Sequence, residues 1–227
     1  MLALGLQLGR NKRSAAWSPA SIAGLQLWLD ASQIVGLNDG DAVATWPDRS
    51  GFARNFTQAT ASNRPIYKTN QRGALPAVLF DGIDDYLTST FSCTAKTIVV
   101  VYKVTGGAQY SRPVDFSPYN KCVYRDTSNT IVGAYNGAFG PTLSGVTTGF
   151  MVATFKFDAS TSGLRIDGVE ASPVAGAFGT ALAGSHGIGA VQDGSRPLSG
   201  YIAHVLLYDT VLSSTDIGLL ETYFSTH

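Results

Sequence analysis

The sequence predicts an all-β fold in which two antiparallel sheets pack as a sandwich and one short helix follows near the C-terminal end. About a dozen short apolar or alternating segments are separated by turn residues, a spacing typical of β-sandwiches. The 227 residues include 25 glycines, and the acidic residues are 14 aspartates and only two glutamates. Aspartate and glycine favour turns, whereas glutamate favours helices, so the composition supports the same fold class.

The first strands are defined by alternation and by the turns between them. Leu25, Leu27 and Leu29 alternate with other residues, as on a strand with one buried face. The pair Asp39-Gly40 predicts a tight turn, because both residue types tolerate positive φ. This part of the chain is predicted to hold strands at 25–29, 43–46 and 76–80, with at most short strands near Phe56 and 66–67.

The second half of the chain contains the strongest strand signal. Residues 97–104 (TIVVVYKV) are largely apolar on both faces, so we predict a central strand there. Residues 149–158 and 163–166 flank a turn and predict a hairpin. Residues 213–216 resemble a helix start with an acidic residue in the first turn, and the helix is predicted to end near Phe224. The other predicted strands are 113–116, 121–125, 130–135, 186–191 and 200–208, and the predicted loops include 137–145 and 175–184.

Residues 1–16 are predicted to form an N-terminal arm that is separate from a domain at 17–227. Four leucines alternate with small or polar residues, in the period of a strand with one apolar face, and a basic cluster follows. A strand at a terminus pairs with a sheet edge, either in another chain or in its own domain. The residues assigned to assembly through the arm are Leu2, Leu4, Leu6, Leu8, Arg10, Lys12 and Arg13.

Charge and hydropathy exclude two classes of partner. The 16 basic and 16 acidic residues give a net charge of zero, and no basic stripe is present, so nucleic-acid binding is not expected. No apolar run approaches the ~20 residues of a membrane span, so membrane insertion is not expected either. Cys93 and Cys122 could form a disulfide or remain as two thiols, and the sequence leaves both alternatives open.

Several motifs occur in an order that is typical of one family. Over residues 17–225 the chain resembles the laminin-G-like branch of the concanavalin-A-like jelly-roll domains. The resemblance implies a two-sheet jelly roll and a non-catalytic module, of a kind found in secreted adhesion and carbohydrate-binding proteins and in bacteriophage virion proteins. His204 departs from the pattern, which often has an acidic residue there. The motifs are LQLWLDAS, DGDAVATWPDRSG, RPIY, PAVLFDGIDDYL, GFMVATFKFD, IDGVEAS, HGIGA and SGYIAHVLLYDTVLSSTDIGLLETYF.

The chain is not expected to be an enzyme, because it contains no recognisable catalytic motif. Glucanases of the sandwich architecture carry a Glu-x-Asp-x-x-Glu strand, since two carboxylates must flank the scissile bond. Here Glu170 and Glu221 are predicted to lie in a turn and in a helix. The three histidines His186, His204 and His227 lack metal-ligand spacing, and His204 is interpreted as a packed side chain.

Calcium is the one cofactor that the sequence suggests. Asp81, Asp84 and Asp85 cluster around Gly82, and Ca²⁺ takes six to eight oxygen ligands in proteins. In the alternative interpretation, Asp81 bonds the backbone of its own turn and Tyr86 packs inward. No other cofactor is expected.

Aromatic residues in the loop-rich middle of the chain are candidates for carbohydrate binding. The pairs Tyr119-Asn120 and Tyr135-Asn136 place a ring beside an amide, which suits contact with a sugar. Alternatively, the rings cover the ends of the core. The candidate carbohydrate-binding residues are Tyr110, Tyr119, Asn120, Tyr124, Tyr135 and Asn136.

Two hypotheses about function follow. The first is a non-catalytic virion protein of a bacteriophage, such as a capsid decoration or tail fibre component. Its arm would anchor it to other virion proteins or to further copies of itself, and its jelly-roll domain would be displayed. The second is an extracellular carbohydrate-binding module that contacts a cell-surface glycan. The mass of the native assembly discriminates between them, because a lone monomer favours the module.

Overall fold

The computed structural model shows a mostly β chain with antiparallel sheets and one C-terminal α-helix, as the composition and turn spacing predict. No helix among the described residues has the length and apolar character needed to cross a membrane. The predicted arm at 1–16 lies outside the described residues. The structure describes residues 17–107, 110–117, 121–125, 131–135, 139–144, 149–157, 161–175 and 180–227.

The elements are short except for two long strands near the middle and the end of the chain. In chain order the strands are β1 (Leu25–Asp30), β2 (Thr45–Trp46), β3 (Phe56–Thr57), β4 (Ile66–Arg72), β5 (Leu75–Asp81), β6 (Leu87–Thr90), β7 (Cys93–Thr94), β8 (Thr97–Gly107), β9 (Val114–Phe116), β10 (Lys121–Arg125), β11 (Ile131–Tyr135), β12 (Phe139–Ser144), β13 (Met151–Phe157), β14 (Thr161–Ile166), β15 (Val169–Glu170), β16 (Val174–Ala175), β17 (Ala181–Leu182), β18 (Ser185–Ile188) and β19 (Leu198–Tyr208), and the helix is α1 (Ser214–Thr226).

The larger sheet has nine strands within the described residues. Its main order is β15-β14-β13-β8-β19-β5-β4, while β1 pairs with β19 and β16 pairs with β14. Strand β8 pairs with β13 on one side and with β19 on the other, and all these pairings are antiparallel. The predicted central position of residues 97–104 is therefore confirmed. The predicted hairpin is also confirmed, because β13 pairs with β14.

The second sheet has eight strands within the described residues, in the order β12-β11-β10-β9-β18-β6-β3-β2, and β7 and β17 form a small third sheet. Two segments that were predicted to be loops contain strands, so these predictions are wrong. Strand β12 lies within the predicted loop 137–145, and it tolerates Pro141 because an edge strand has one side without ladder hydrogen bonds. The predicted loop 175–184 contains β17, which pairs with β7.

Side chains from both large sheets meet in one hydrophobic core. Trp46 and Phe56 reach it from the eight-stranded sheet, and Val100 and Tyr102 reach it from the nine-stranded sheet, all without exposed surface. Trp46 is thus a core residue. Fully burying side chains of this size stabilises the fold by ~1.5–3 kcal/mol each.

Helix α1 covers the outer face of the nine-stranded sheet. Ile217 and Leu220 of the helix pack against Val99 and Leu206, which point away from the central core. The helix begins as predicted, with the Ser213 hydroxyl accepting a hydrogen bond from the Asp216 amide at 3.1 Å. Because α1 lies on the nine-stranded sheet, the outer face of the eight-stranded sheet is not covered by any described α-helix.

One carboxylate organises the PDRSG segment of the family-like motif. Asp48 accepts hydrogen bonds from the amides of Trp28 (3.0 Å), Ser50 (2.8 Å) and Arg54 (3.0 Å). It also accepts one from the Ser50 hydroxyl at 2.7 Å. These bonds fix the turn after β2 against strand β1. The PDRSG residues therefore have a structural role.

His204 lies inside the fold, opposite Asp30 in the register of β1 and β19. The two side chains are 4% and 3% exposed, and 3.6 Å separates His204 Nδ1 from Asp30 Oδ1. Burial lowers the pKa of His204 to about 4, although the Asp30 carboxylate favours the protonated form. The side chain is therefore a buried neutral imidazole at neutral pH, which agrees with its interpretation as a packed histidine.

Candidate functional site

A single register row crosses the eight-stranded sheet from β2 to β11. Residues directly opposite each other in antiparallel strands have side chains on the same face. The neighbouring residues Trp46, Phe56 and Val114 point into the core, so the row belongs to the outer face. In order, the row consists of Thr45, Thr57, Thr88, Gly187, Asp115, Cys122 and Tyr135.

The two ends of the row differ from its centre in exposure. Thr45 and Thr57 are exposed, and Thr88 and Tyr135 are half-buried. Asp115, in the centre, has no exposed surface. The row therefore carries hydroxyl groups on either side of the buried Asp115 carboxylate.

Asp115 is held by a buried ion pair. Arg112, which is 8% exposed, contacts Asp115 Oδ2 through Nη1. Burial raises the pKa of Asp115, while the charge and hydrogen bond of Arg112 act in the opposite direction. A charged pair this deep in a sheet face is costly unless its remaining polar atoms are also bonded.

Residues 189–197 form a loop that crosses the row above Gly187, and we call it the covering loop. A Cβ atom at Gly187 would lie 2.3 Å from the Ala190 oxygen and 2.9 Å from the Gln192 nitrogen, so only glycine fits beneath this loop. The Gly189 amide donates to the Pro113 oxygen at 2.9 Å, which ties the loop to the start of β9.

Several buried polar atoms around Asp115 are incompletely hydrogen-bonded. They are Ser111 Oγ, Arg112 Nε, Asp115 Oδ1 and Gln192 Oε1, and none has a hydrogen-bond partner within the described part of the chain. Buried polar groups are nearly always paired with protein or water, so such a concentration requires an explanation. We call these four residues the Asp115 cluster.

Two residues beside the Asp115 cluster adopt left-handed backbone conformations. Tyr110 has φ of 60° and Arg196 has φ of 57°, and neither is glycine. The Arg196 guanidinium lies 5.7 Å from the centre of the Tyr110 ring, and the Arg112 amide donates to the Arg196 oxygen at 3.1 Å. Strained backbone conformations concentrate at functional sites, so these two residues support a functional site at the Asp115 cluster.

Two of the predicted carbohydrate-binding residues lie in this region of the structure. Tyr110 adjoins the Asp115 cluster, and Tyr135 lies in the row. Tyr124 pairs with Gly133 between β10 and β11. Sequence reasoning missed Ser111, Arg112, Asp115 and Gln192, although the charged pair in the segment RPVDF was a usable signal. Of the other predicted residues, Tyr119, Asn120 and Asn136 lie outside the described residues, as does the side chain of Tyr124.

The predicted metal ligands come together at the end of β5. One carboxylate oxygen from each of Asp81, Asp84 and Asp85 lies within 4.8 Å of the others. Asp81 Oδ1 also accepts hydrogen bonds from the amides of Ile83 (2.8 Å) and Asp84 (3.3 Å), as the turn interpretation expects. Calcium binding at these residues stays a prediction.

Asp85 predicts a specific pH dependence of stability. Burial raises its pKa from 3.8 to about 6, so the folded chain keeps a proton that the unfolded chain releases at lower pH. The stability that this proton contributes is present below about pH 3.8 and is lost as the pH rises through about 6. Asp85→Asn cannot lose that proton, so its free energy of unfolding relative to the native sequence should rise between these pH values.

Urea unfolding at several pH values measures this difference. Asp84→Asn is the matched control, because Asp84 is exposed, and its difference from the native sequence should change less with pH. The prediction is contradicted if the free energy of unfolding of Asp85→Asn differs from that of the native sequence by the same amount at every pH.

No family model matches the chain, and no curated protein matches its sequence. Solved structures do match its fold. Trypanosoma rangeli sialidase in complex with sialic acid aligns with a TM-score of 0.63 and 18% identity, over 90% of this chain and 34% of the sialidase. The chain thus spans about a third of that protein's length.

An arabinofuranosidase and one domain of an arabinanase are also similar. An arabinofuranosidase in complex with arabinofuranosyl-α-1,2-xylobiose aligns with a TM-score of 0.64 and 13% identity, over 81% of this chain and 50% of that protein. Domain 4 of an extracellular arabinanase from Geobacillus stearothermophilus, in complex with arabinotriose, aligns with a TM-score of 0.57 and 15% identity. That alignment covers 81% of this chain and the whole of domain 4.

These likenesses correct the expectation that the chain is not an enzyme. The three proteins with a region of similar fold are a sialidase, an arabinanase and an arabinofuranosidase, so this fold gives no basis for excluding catalysis. At 13–18% identity they show a common β fold and do not transfer an activity.

Proposed function

We propose that this chain is a carbohydrate-binding domain whose ligand lies on the outer face of the eight-stranded sheet. The observation that carries the proposal is the Asp115 cluster, with its unused hydrogen-bonding atoms, in the centre of a hydroxyl-bearing row. A few precisely placed polar groups are what orient a small ligand in its site. The solved complexes of similar fold with arabinotriose and with sialic acid support a sugar as that ligand.

The chemistry of the row suits a ligand with neighbouring hydroxyl groups. A hydroxyl both donates and accepts, so one can donate to Asp115 Oδ1 while the next accepts from Arg112 Nε. Thr88 and Tyr135 add hydroxyls on either side of this pair. Because Asp115 is buried beside the covering loop, a ligand first meets the outer residues of the row and reaches Asp115 when the loop is displaced.

The fold also supports a finer assignment within this proposal. Two large antiparallel sheets that share one core, with a single closing helix, are what a concanavalin-A-like jelly roll of the laminin-G-like branch contains. The virion role, the anchoring arm and the location of the protein outside the cell stay predictions.

Hydrolysis of the bound sugar is a second candidate function, favoured by one pair of carboxyl groups. Burial raises the pKa of Asp115, and hydrogen bonds from Ser195 lower the pKa of Asp193, whose charge acts on Asp115. Glycoside hydrolysis needs two carboxyl groups of different pKa that flank the scissile bond. Analysis of the ligand for cleavage products after incubation tests this candidate.

Binding to the row is tested by titrating the protein calorimetrically with a panel of neutral and acidic oligosaccharides that includes arabinotriose. We expect at least one to bind, and Tyr135→Ala and Thr88→Val to weaken that binding by about tenfold each, since each removes one hydrogen-bonding group. Phe52→Ala is the matched control, because Phe52 is an exposed aromatic residue on the loop after β2. Absence of binding across the panel, or equal affinity in all variants, would contradict the proposal.

A further inference from the structure

A cavity lies on the outer face of the nine-stranded sheet, between that sheet and helix α1. Its volume is about 580 Å³, within the range that small-molecule sites occupy. The nine-stranded sheet and the central core separate it from the row on the other face. The residues that define it are Arg72, Phe150, Met151, Asp167, Glu221 and Phe224.

One wall of this cavity is aromatic and preformed. The Phe150 ring is half-buried, lies 6.2 Å from the Tyr201 ring and has the Arg72 guanidinium 5.5 Å from its centre. Arg72 is itself fixed, because it donates to the main-chain oxygens of Phe224 and His227, the latter at 2.5 Å. A ring held in this way offers a rigid apolar surface to a ligand.

The lining also presents one carboxylate with unused hydrogen-bonding capacity. Glu221 is fully engaged, since it accepts from Arg165 at 2.9 and 2.8 Å and from the Gly168 amide at 3.0 Å. Asp167 accepts through Oδ1 from the Val152 amide at 2.8 Å, and its side chain has no other hydrogen bond to the described residues. Burial raises the pKa of Asp167, as expected for a carboxyl group that lacks a compensating partner.

The charges around the cavity nearly cancel. Arg165 pairs with Glu221, and the lining holds one further cation, Arg72, and one further anion, Asp167. No net field therefore favours a charged ligand. The combination of a rigid aromatic surface with the unused carboxylate oxygen of Asp167 instead suits a molecule that has one apolar face and a hydroxyl donor at its edge.

We propose that this cavity is a second ligand site, which binds one neutral monosaccharide unit. A ring hydroxyl donates to Asp167 Oδ2, and the apolar face of the sugar packs on Phe150. This site is independent of the row, because it rests on different residues on the opposite face of the molecule.

Backbone NMR of the native chain tests this proposal, with L-arabinose, D-galactose, D-glucose and arabinotriose as probes. We expect saturable shifts of the Val152, Gly168 and Thr222 amides with at least one probe. Asp167→Asn should weaken that binding by about tenfold, because the amide replaces an acceptor with a donor. Asn keeps an oxygen for the Val152 amide, so this variant should fold.

Phe150→Ala should also weaken binding at these amides, and Asp39→Asn, a change in a remote exposed carboxylate, should leave it unchanged. The proposal is overturned if no probe shifts these amides. It is also overturned if Asp167→Asn and Phe150→Ala both bind the probe with the affinity of the native chain. Shifts confined to the row would overturn it while leaving the proposed function intact.

Discussion

Replacing Asp30 by alanine is expected to lower the free energy of unfolding by about 3 kcal/mol, because the change breaks the hydrogen-bonded network around a buried carboxylate. Asp30 accepts from Arg49 at 2.6 Å, and from the Ser32 amide and hydroxyl at 2.9 and 2.6 Å. Alanine leaves all three donors without this acceptor and removes the negative charge beside the buried His204. Urea unfolding monitored by tryptophan fluorescence measures the loss.

Asp30→Asn is the control for this prediction. Asparagine keeps one oxygen for the Ser32 amide but loses the charge that pairs with Arg49, so its loss should be clearly smaller. If alanine and asparagine destabilise equally, the charge rather than the local hydrogen bonds dominates. If alanine has almost no effect, the network does not stabilise the fold and the prediction fails.

Replacing Gly189 by alanine is expected to destabilise the fold by at least ~3 kcal/mol or to prevent folding. A Cβ atom there would lie 2.0 Å from Cδ1 of the buried Phe80 ring, and the residue has φ of 83°. Both the core and the start of the covering loop would have to move. Thermal unfolding measures the change, and folded protein should also show weaker binding at the row.

Gly51→Ala separates the clash from the backbone strain. Gly51 has a similar φ of 94°, but an added Cβ would meet nothing within 4 Å. Its substitution should therefore show strain alone, about 1 kcal/mol. If Gly189→Ala is as stable as Gly51→Ala, the Phe80 ring does not pack against Gly189 and the prediction is wrong.

The sequence predicted the elements whose signal is local. The apolar run at 97–104 became the centre of a sheet, and the serine and aspartate of residues 213–216 start the helix. Strand β12 was missed because glycine and Pro141 are typical of loops, and only its edge position makes them compatible with a strand. The seven-residue strand β4 was predicted as a short one, since its alternation is weak and its partner β5 defines it.

The candidate site was harder to predict because it depends on register. Tyr135 could be proposed from its residue type alone. The Asp115 cluster joins residues 111–115 to residue 192, which only the pairing of β9 with β18 and the path of the covering loop bring together. Sequence order carries almost no information about such pairing, and so the cluster was not found.

The most direct test of the central proposal is a backbone NMR titration with the best oligosaccharide from the calorimetric panel. Binding on the outer face of the eight-stranded sheet predicts saturable shifts of the Thr88, Gly187 and Tyr135 amides, with smaller shifts in the covering loop. Saturable shifts that spare these three amides, in a chain that binds the sugar, would contradict it.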